Sequence, residues 1–252
     1  MDVLDRKTNR VEISEALTSN EDEIRALMSR LRELRTKIAH FEKSRMTVEL
    51  AAQHAPICAT FPDMALRAKN ELPGLQFRLR AGNLNDCVSM FLRGDTSMLL
   101  CYEAESVGTL QFGPDIRRCV WGNDYLVPVV GGTLRYVVTD FGGIPADTPA
   151  IVYPEDSYFG EVLRKNDRPF GIPSSSANTF SVSAFSSGTR ELVLNGLGVG
   201  WLPFSMAHRE IESGDLISLA NHYGQEAFQV AIYADKTVEI AQTLMEIWAK
   251  DV

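Results

Sequence analysis

Four short stretches hold side chains able to grip a small polar molecule: Gln53-His54-Ala55-Pro56, Gly82-Asn83-Leu84, Pro154-Glu155-Asp156-Ser157-Tyr158 and Phe185-Ser186-Ser187. Each sits where an apolar, strand-like run gives way to a helical one. In open α/β sheets, ligands bind beyond the carboxyl ends of strands, where helices begin. Helix starts carry free backbone N–H groups and favour anions by roughly 0.3–1 kcal/mol per charge when exposed. His54, Ala55, Asn83, Ser157, Tyr158, Phe185 and Ser186 are therefore candidate ligand contacts, joined by Tyr102 and Glu103 at the end of a third strand. A carboxylate-bearing metabolite is the first expectation, opposed by Glu155 and Asp156 if both face the site. Each residue also has a plainer reading. Ser157, Ser186 and Asn83 serve equally as helix caps, Asn83 with Asp86 at N3. His54 donates to a carboxylate or is simply a satisfied loop histidine. Tyr102 and Glu103 reach the cleft or cover the edge of the core.

Nothing in the chain points to catalysis, and no catalytic residue or cofactor is assigned. There is no G-x-S-x-G elbow, H-E-x-x-H or G-K-[ST] loop. His40, His54, His208 and His222 lack metal-ligand spacing, and Cys58, Cys87, Cys101 and Cys119 form no C-x-x-C pair, so no metal site is expected. The thiols read as reduced and mostly buried. Gly196, Gly198 and Gly200 mimic a nucleotide loop. A dinucleotide fingerprint follows a strand and opens a helix; this run does the reverse and reads as a tight helix-to-strand turn.

The elements that must position these residues alternate. Strands are expected at 48–52, 75–80 and 98–102, with helices at 57–70 and 84–92, a βαβαβ order that implies a parallel sheet. Pro62 falls in a first turn or at a kink. Two strands follow at 119–121 and 125–130, where Pro128 suggests an edge or a crossing. A second alternation reads strand 151–153, helix 158–165, a loose stretch over 167–178, strand 180–184, helix 189–195 and strand 200–202. The strand at 228–233 and the helix at 237–250 return to the first lobe, its apolar stripe at Ala241, Leu244, Met245 and Trp248. One lobe interrupted by another leaves two crossovers, and two crossovers make a hinge.

Ahead of this body, residues 19–44 read as one long helix with cap pairs Thr18/Glu21 and Ser19/Asp22. Ile24, Leu27, Leu31, Leu34, Ile38 and Phe41 step by 3, 4, 3, 4, 3, the seam of a coiled coil. Only Met28 and Ala39 widen it. An amphipathic helix packed on its own domain usually shows a broader stripe, so a second copy of the chain is the expected partner, in a dimer or a tetramer.

The chain has 252 residues, 45% of them hydrophobic and 23% charged, ordinary for a globular protein with room for two lobes. The net charge of −8 argues against this chain alone coating nucleic acid. No apolar run reaches the roughly 18–20 residues of a membrane span, and residues 1–10 lack the apolar core of a secretory signal. A cytoplasmic address without membrane contact is the default.

Together the motifs resemble the LysR-type transcriptional regulators. Asn70-Glu71-Leu72-Pro73-Gly74-Leu75-Gln76-Phe77 resembles that family's junction from helix to second strand, and Tyr125-Leu126-Val127-Pro128-Val129 its first crossover. Gly196-Leu197-Gly198-Val199-Gly200-Trp201-Leu202-Pro203, followed by Gly214-Asp215-Leu216-Ile217-Ser218-Leu219, resembles its second-lobe signature. The resemblance covers nearly the whole chain. It implies an α/β fold of two Rossmann-like lobes with a hinge, type 2 periplasmic-binding-protein-like, preceded by a long N-terminal linker helix. Residues 1–17 would be a remnant of a winged helix-turn-helix wing, 18–45 the dimerising helix, 46–127 with 222–252 effector-binding lobe I, and 128–221 lobe II. Promoter DNA would be reached only through a winged helix-turn-helix missing from these residues. The expected function is effector sensing and oligomerisation for a DNA-binding regulator; the alternative is the solute-binding protein of a transport system, whose cleft would look alike.

Overall fold

The computed structural model describes residues 4–5, 12–13, 20, 27–32 and 46–249. The chain divides after Met46 into two units, each described by itself. In the first, β1 (Leu4–Asp5) pairs antiparallel with β2 (Glu12–Ile13). Residues 27–32 are helical, and Leu27, Met28 and Leu31 are exposed there. The rest of the expected seam, Ile24, Leu34, Ile38 and Phe41, lies outside the described residues, as do most of the expected long helix and its caps.

The second unit is built on a nine-stranded mixed sheet. Its order is β4 (Gln76–Gly82), β3 (Thr47–Gln53), β5 (Met98–Glu103), β11 (Glu226–Asp235), β6 (Ile116–Gly131), β9 (Val199–Pro203), β7 (Ala150–Val152) and β8 (Thr179–Val182), with β10 (Leu216–Ser218) also on β6. The expected parallel core is β4-β3-β5, and the second lobe repeats it as β8-β7-β9. β11 pairs antiparallel with both β5 and β6. β6 is one strand of 16 residues where the sequence suggests two. It runs beside β11 as far as Leu126, and from Leu126 onward beside β9. The chain thus crosses between lobes at Leu126 on β6 and returns on β11, whose first residue, Glu226, pairs with that same Leu126.

The helices follow from cap and stripe chemistry. The expected helix over 57–70 is two: α1 (His54–Ala59) and α2 (Phe61–Glu71), separated at Thr60, with Pro62 in the first turn of α2. α3 (Leu84–Leu92) stops before Gly94, which supplies a φ of 71°. The remainder are α4 (Tyr158–Lys165), α5 (Ser186–Leu194), α6 (Phe204–Ser213), α7 (Ala220–Tyr223) and α8 (Glu239–Ala249). Short 3-10 turns occupy Gly132–Val137 and Pro173–Ser175. α6 is absent from the sequence reading, although Pro203 before it and left-handed Gly214 after it mark its ends. The Gly196 turn does join α5 to β9, with a φ of 72°.

Side-chain alternation along the strands builds a layer on each face. In lobe I, Val48, Leu50, Ala52, Met98, Leu100, Val230 and Ile232 join a core with Met64 and Ala68 of α2 and Leu244, Met245 and Trp248 of α8. Ala51, Leu99, Cys101, Ala231 and Tyr233 pack instead against Cys87 and Phe91 of α3. Trp248 donates from Nε1 to the Met64 carbonyl at 3.0 Å, tying α8 to α2. Leu100 is fully buried, so Leu100→Ala costs roughly 2–5 kcal/mol. In lobe II, Val127, Val129, Ile151 and Leu202 face α5 and α6, while Val130, Ala150, Val152 and Val199 face Phe170 and Leu219. The first core also takes in Tyr153, Phe159, Val162, Leu163 and Trp201, so one apolar cluster spans both lobes.

Candidate functional site

The ends of the parallel strands put four helix starts around one cavity. Its lining is Gln53, His54, Ala55, Gly82, Asn83, Leu84, Tyr153, Ser157, Tyr158, Phe159, Ala184 and Ser186. It encloses about 380 Å³ of empty space, counting the part open to solvent. Lobe I contributes the starts of α1 and α3; lobe II contributes those of α4 and α5. Six of the nine expected contacts, His54, Ala55, Asn83, Ser157, Tyr158 and Ser186, come together here. Phe185 is outside the lining, but its ring meets the lining residue His54 edge-on at 4.8 Å between centroids, a contact between one side chain from each lobe.

Tyr102 and Glu103 are placed elsewhere. Both lie on β5, a strand buried on both faces, and neither lines the cavity. Tyr102 is fully buried and donates to Asp124 Oδ2 at 2.7 Å. Burial, and then the Asp124 carboxylate, push its phenol pKa well up. Glu103, 4% exposed, accepts from Arg118 Nε at 3.1 Å, from the Leu110 N–H at 3.1 Å and from the Tyr233 hydroxyl, all on the α3 side of lobe I. Both are structural.

Of the plainer readings, capping holds for Ser157 alone. Its Oγ accepts from the Gly160 N–H at 3.1 Å and donates to the Pro154 carbonyl at 2.7 Å. Gly160 is required at this point: a Cβ there would lie 1.9 Å from the Pro154 oxygen. Asn83 occupies the N-cap position of α3, yet its side chain makes no capping bond. Ser186 Oγ pairs with the Tyr153 hydroxyl at 2.9 Å, and that hydroxyl also donates to the Trp201 carbonyl at 2.9 Å. Tyr158 Oη accepts from the Ala104 N–H at 2.7 Å, a direct hydrogen bond between lobes. Burial raises the phenol pKa of both Tyr153 and Tyr158, so both stay neutral donors and acceptors near neutral pH.

The electrostatic character follows. No Lys, Arg, Asp or Glu lines the cavity, and His54 is the one histidine in its lining. Glu155 and Asp156 are exposed and outside the lining, so they do not oppose an anion there. Among the described residues, no cluster of three or more His, Cys, Asp or Glu could hold a metal ion. Tyr153, Phe159 and Ala184 are lining residues that sequence reasoning missed. Tyr153 was within reach of it, as the last residue of the expected strand 151–153; Phe159 and Ala184 needed the lobes in place.

Two lobes joined by two crossover strands, with a cavity at the facing helix starts, define a type 2 periplasmic-binding-protein-like fold. The sequence matches the LysR substrate binding domain over residues 42–247, and the chain belongs to that family. It therefore carries the effector-sensing portion of a LysR-type transcriptional regulator, and its family is one of regulatory domains. This favours the regulator over the transporter alternative. No curated protein matches the chain in sequence. Among solved structures, the bromide-bound regulatory domain of HypT from Salmonella typhimurium is similar, at 20% identity and a TM-score of 0.64, covering 81% of this chain and 94% of that one. DarR from Vibrio fischeri, in complex with DNA, is similar at 16% identity and a TM-score of 0.65, covering 98% and 83%. Full-length LysG from Corynebacterium glutamicum with its bound effector Arg gives 16% identity and a TM-score of 0.62, covering 98% and 81%. Among the described residues, no helix is long and apolar enough to cross a membrane.

Proposed function

We propose that the cavity binds a small anionic effector, a carboxylate in the first instance. The observation carrying this reading is the convergence of four helix starts on a lining free of acidic side chains. The backbone N–H groups of these first turns, the uncapped end of α3 above all, offer the anion its hydrogen bonds. His54 and Asn83 add side-chain donors. His54 has its Phe185 ring contact, and its ring nitrogens are free to meet a ligand. The HypT regulatory domain, similar in fold, is bromide-bound, so a domain of this fold can take up an anion.

The domain plan goes with this reading: lobe I over 46–127 and 222–252, lobe II over 128–221, and a dimerising helix over 18–45. Effector binding biases the angle between lobes, and oligomerisation through the Ile24-Leu27-Leu31-Leu34-Ile38-Phe41 seam passes the bias to DNA-binding heads in the cytoplasm. Leu27 and Leu31 are 53% and 60% exposed, as a seam awaiting a partner requires. Thermal unfolding of the purified chain with succinate, bromide and L-arginine tests the ligand class. A bound anion present at a hundredfold its Kd stabilises by about 2.7 kcal/mol. Stabilisation by arginine alone would reverse the charge assignment, and no response to any of the three would remove the support for an anion site. Sedimentation of Leu31→Asp tests the seam: the variant is expected as a monomer, and an unchanged mass would place the interface elsewhere.

A further inference from the structure

Helix α4 meets the cavity at one end and the second crossover strand at the other. Its first turn supplies Ser157, Tyr158 and Phe159 to the lining. Tyr158 there holds the Ala104 N–H of lobe I, and Phe159 packs on Phe228 of β11 at 5.5 Å between ring centroids. Just past its last turn, Asn166 Nδ2 donates to Glu226 Oε2 at 2.7 Å and also to the Val162 carbonyl at 3.1 Å. Arg168 forms an ion pair with the other oxygen of Glu226 and donates to the Tyr223 carbonyl at 3.0 Å. Glu226 is 9% exposed, opens β11, and lies opposite Leu126, where β6 also meets Pro203 of β9. The helix therefore grips the crossover at the point where both hinge strands run side by side.

The segment around Arg168 is held tightly. Asp167 and Phe170 adopt left-handed backbones at φ of 50° and 57°, a conformation that a bulky residue keeps only where its surroundings impose it. Those surroundings are on the page: Trp201 Nε1 donates to the Pro169 carbonyl at 2.8 Å, the Arg168 N–H to the Leu163 carbonyl at 2.9 Å, and the Phe170 ring meets Tyr223 edge-on. The far end of this eight-residue helix is thus pinned to the crossover through Asn166 and Arg168.

We propose that α4 is a strut that carries occupancy of the cavity to the hinge, with Glu226 as its anchor on the crossover strand. The cavity as ligand site belongs to the function proposed above; the mechanical coupling of its two ends does not depend on any ligand. Coupling between two ends is reciprocal, and that permits a test without effector, so failure of the strut and failure of the ligand assignment are read separately.

Amide hydrogen exchange is followed in the full chain. Glu226→Gln keeps an acceptor for Asn166 and removes the ion pair with Arg168. Exchange is expected to rise about tenfold, within the usual range of coupling, at Ala104, Gly160 and Glu161 at the cavity end, while Leu50 and Leu100 in the sheet stay unchanged. In the other direction, Tyr158→Phe removes the Ala104 acceptor and is expected to speed exchange at Asn166 and Arg168. Arg168→Lys replaces Glu226→Gln if the latter fails to fold. Acceleration confined to residues next to each substitution overturns the proposal, as does no change, or a uniform rise that includes Leu50 and Leu100.

Discussion

Asp124 Oδ1 accepts the backbone N–H of Ser205 at 3.1 Å, so a carboxylate on the first crossover strand caps a helix of lobe II. The pairing follows from register. β6 and β9 run antiparallel with Leu126 opposite Pro203, and continuing the ladder by two residues each way brings Asp124 to Ser205 at the start of α6. The same carboxylate accepts from the Ser205 and Tyr102 hydroxyls and from the Tyr125 N–H, and it is 5% exposed. Removing it leaves several buried donors unpaired at once. Asp124→Ala is expected to cost about 3 kcal/mol in urea denaturation, and Asp124→Asn, which keeps an acceptor, about 1 kcal/mol. Equal costs for the two would mean that packing, not hydrogen bonding, fixes this corner.

Much of this architecture was legible in the residues, for identifiable reasons. The bounds of α3 and α4 match the expectation because Gly94 and Ser157 punctuate them chemically. β6 read as two strands because Gly122-Asn123-Asp124 has little strand propensity; pairing with β11 overrides that, with a register irregularity between Val230 and Ala231. Tyr102 and Glu103 were misassigned because Met98–Glu103 is buried on both faces. A strand without polar alternation does not tell which face a side chain takes. The helix-start rule located the cavity, but the interlobe contacts of Tyr158 with Ala104 and of His54 with Phe185 join residues far apart in sequence, and no local pattern encodes them.

The cavity residues divide into those that bind and those that also hold the fold. Asn83 is exposed and His54 half-buried, and the Asn83 side chain makes no capping bond. His54→Ala and Asn83→Ala are expected to weaken succinate binding while shifting stability by no more than about 0.5 kcal/mol. Ser186→Ala differs. It removes a partner of Tyr153, whose hydroxyl keeps the Trp201 carbonyl, and a cost of about 1 kcal/mol is expected beside any loss of binding. Calorimetric titration together with thermal melting separates the two effects. Unaltered binding in both His54→Ala and Asn83→Ala would move the ligand away from the α1 and α3 starts.

The four thiols are unequal. Cys58 on α1 is exposed, Cys119 is partly covered, and Cys87 and Cys101 are fully buried, so the expectation of mostly buried thiols holds fully for two of the four. Burial lifts the Cys87 thiol to about 11 and Cys101 well above its usual range, leaving almost no thiolate at neutral pH. Alkylation of the native protein is expected to modify Cys58 quickly, Cys119 slowly, and the other two only on unfolding. Rapid reaction of all four in the native state would show that α3 does not stay packed on the sheet.

Alkaline pH is expected to unfold this protein through groups that prefer to stay protonated. Cys87, Cys101, Tyr102, Tyr153, Tyr158 and Tyr233 all have raised pKa values, with burial as the largest cause in each. Below the unfolded thiol value of 9.0, both states hold these protons and stability does not respond. As pH climbs past it, the unfolded chain releases protons that the native state retains, so the stabilisation present at lower pH is progressively lost. For Cys87 the window runs from 9.0 to about 11, and the tyrosines extend it upward from 10.0. Each titrating group contributes a slope of about 1.4 kcal/mol per pH unit. Melting temperature should be insensitive to these groups below pH 9.0 and fall above it. A spectrophotometric titration should show four of the seven tyrosines ionising only together with unfolding. Ionisation of all seven before any loss of helical signal would mean that the aromatic cluster under the cavity is open to water.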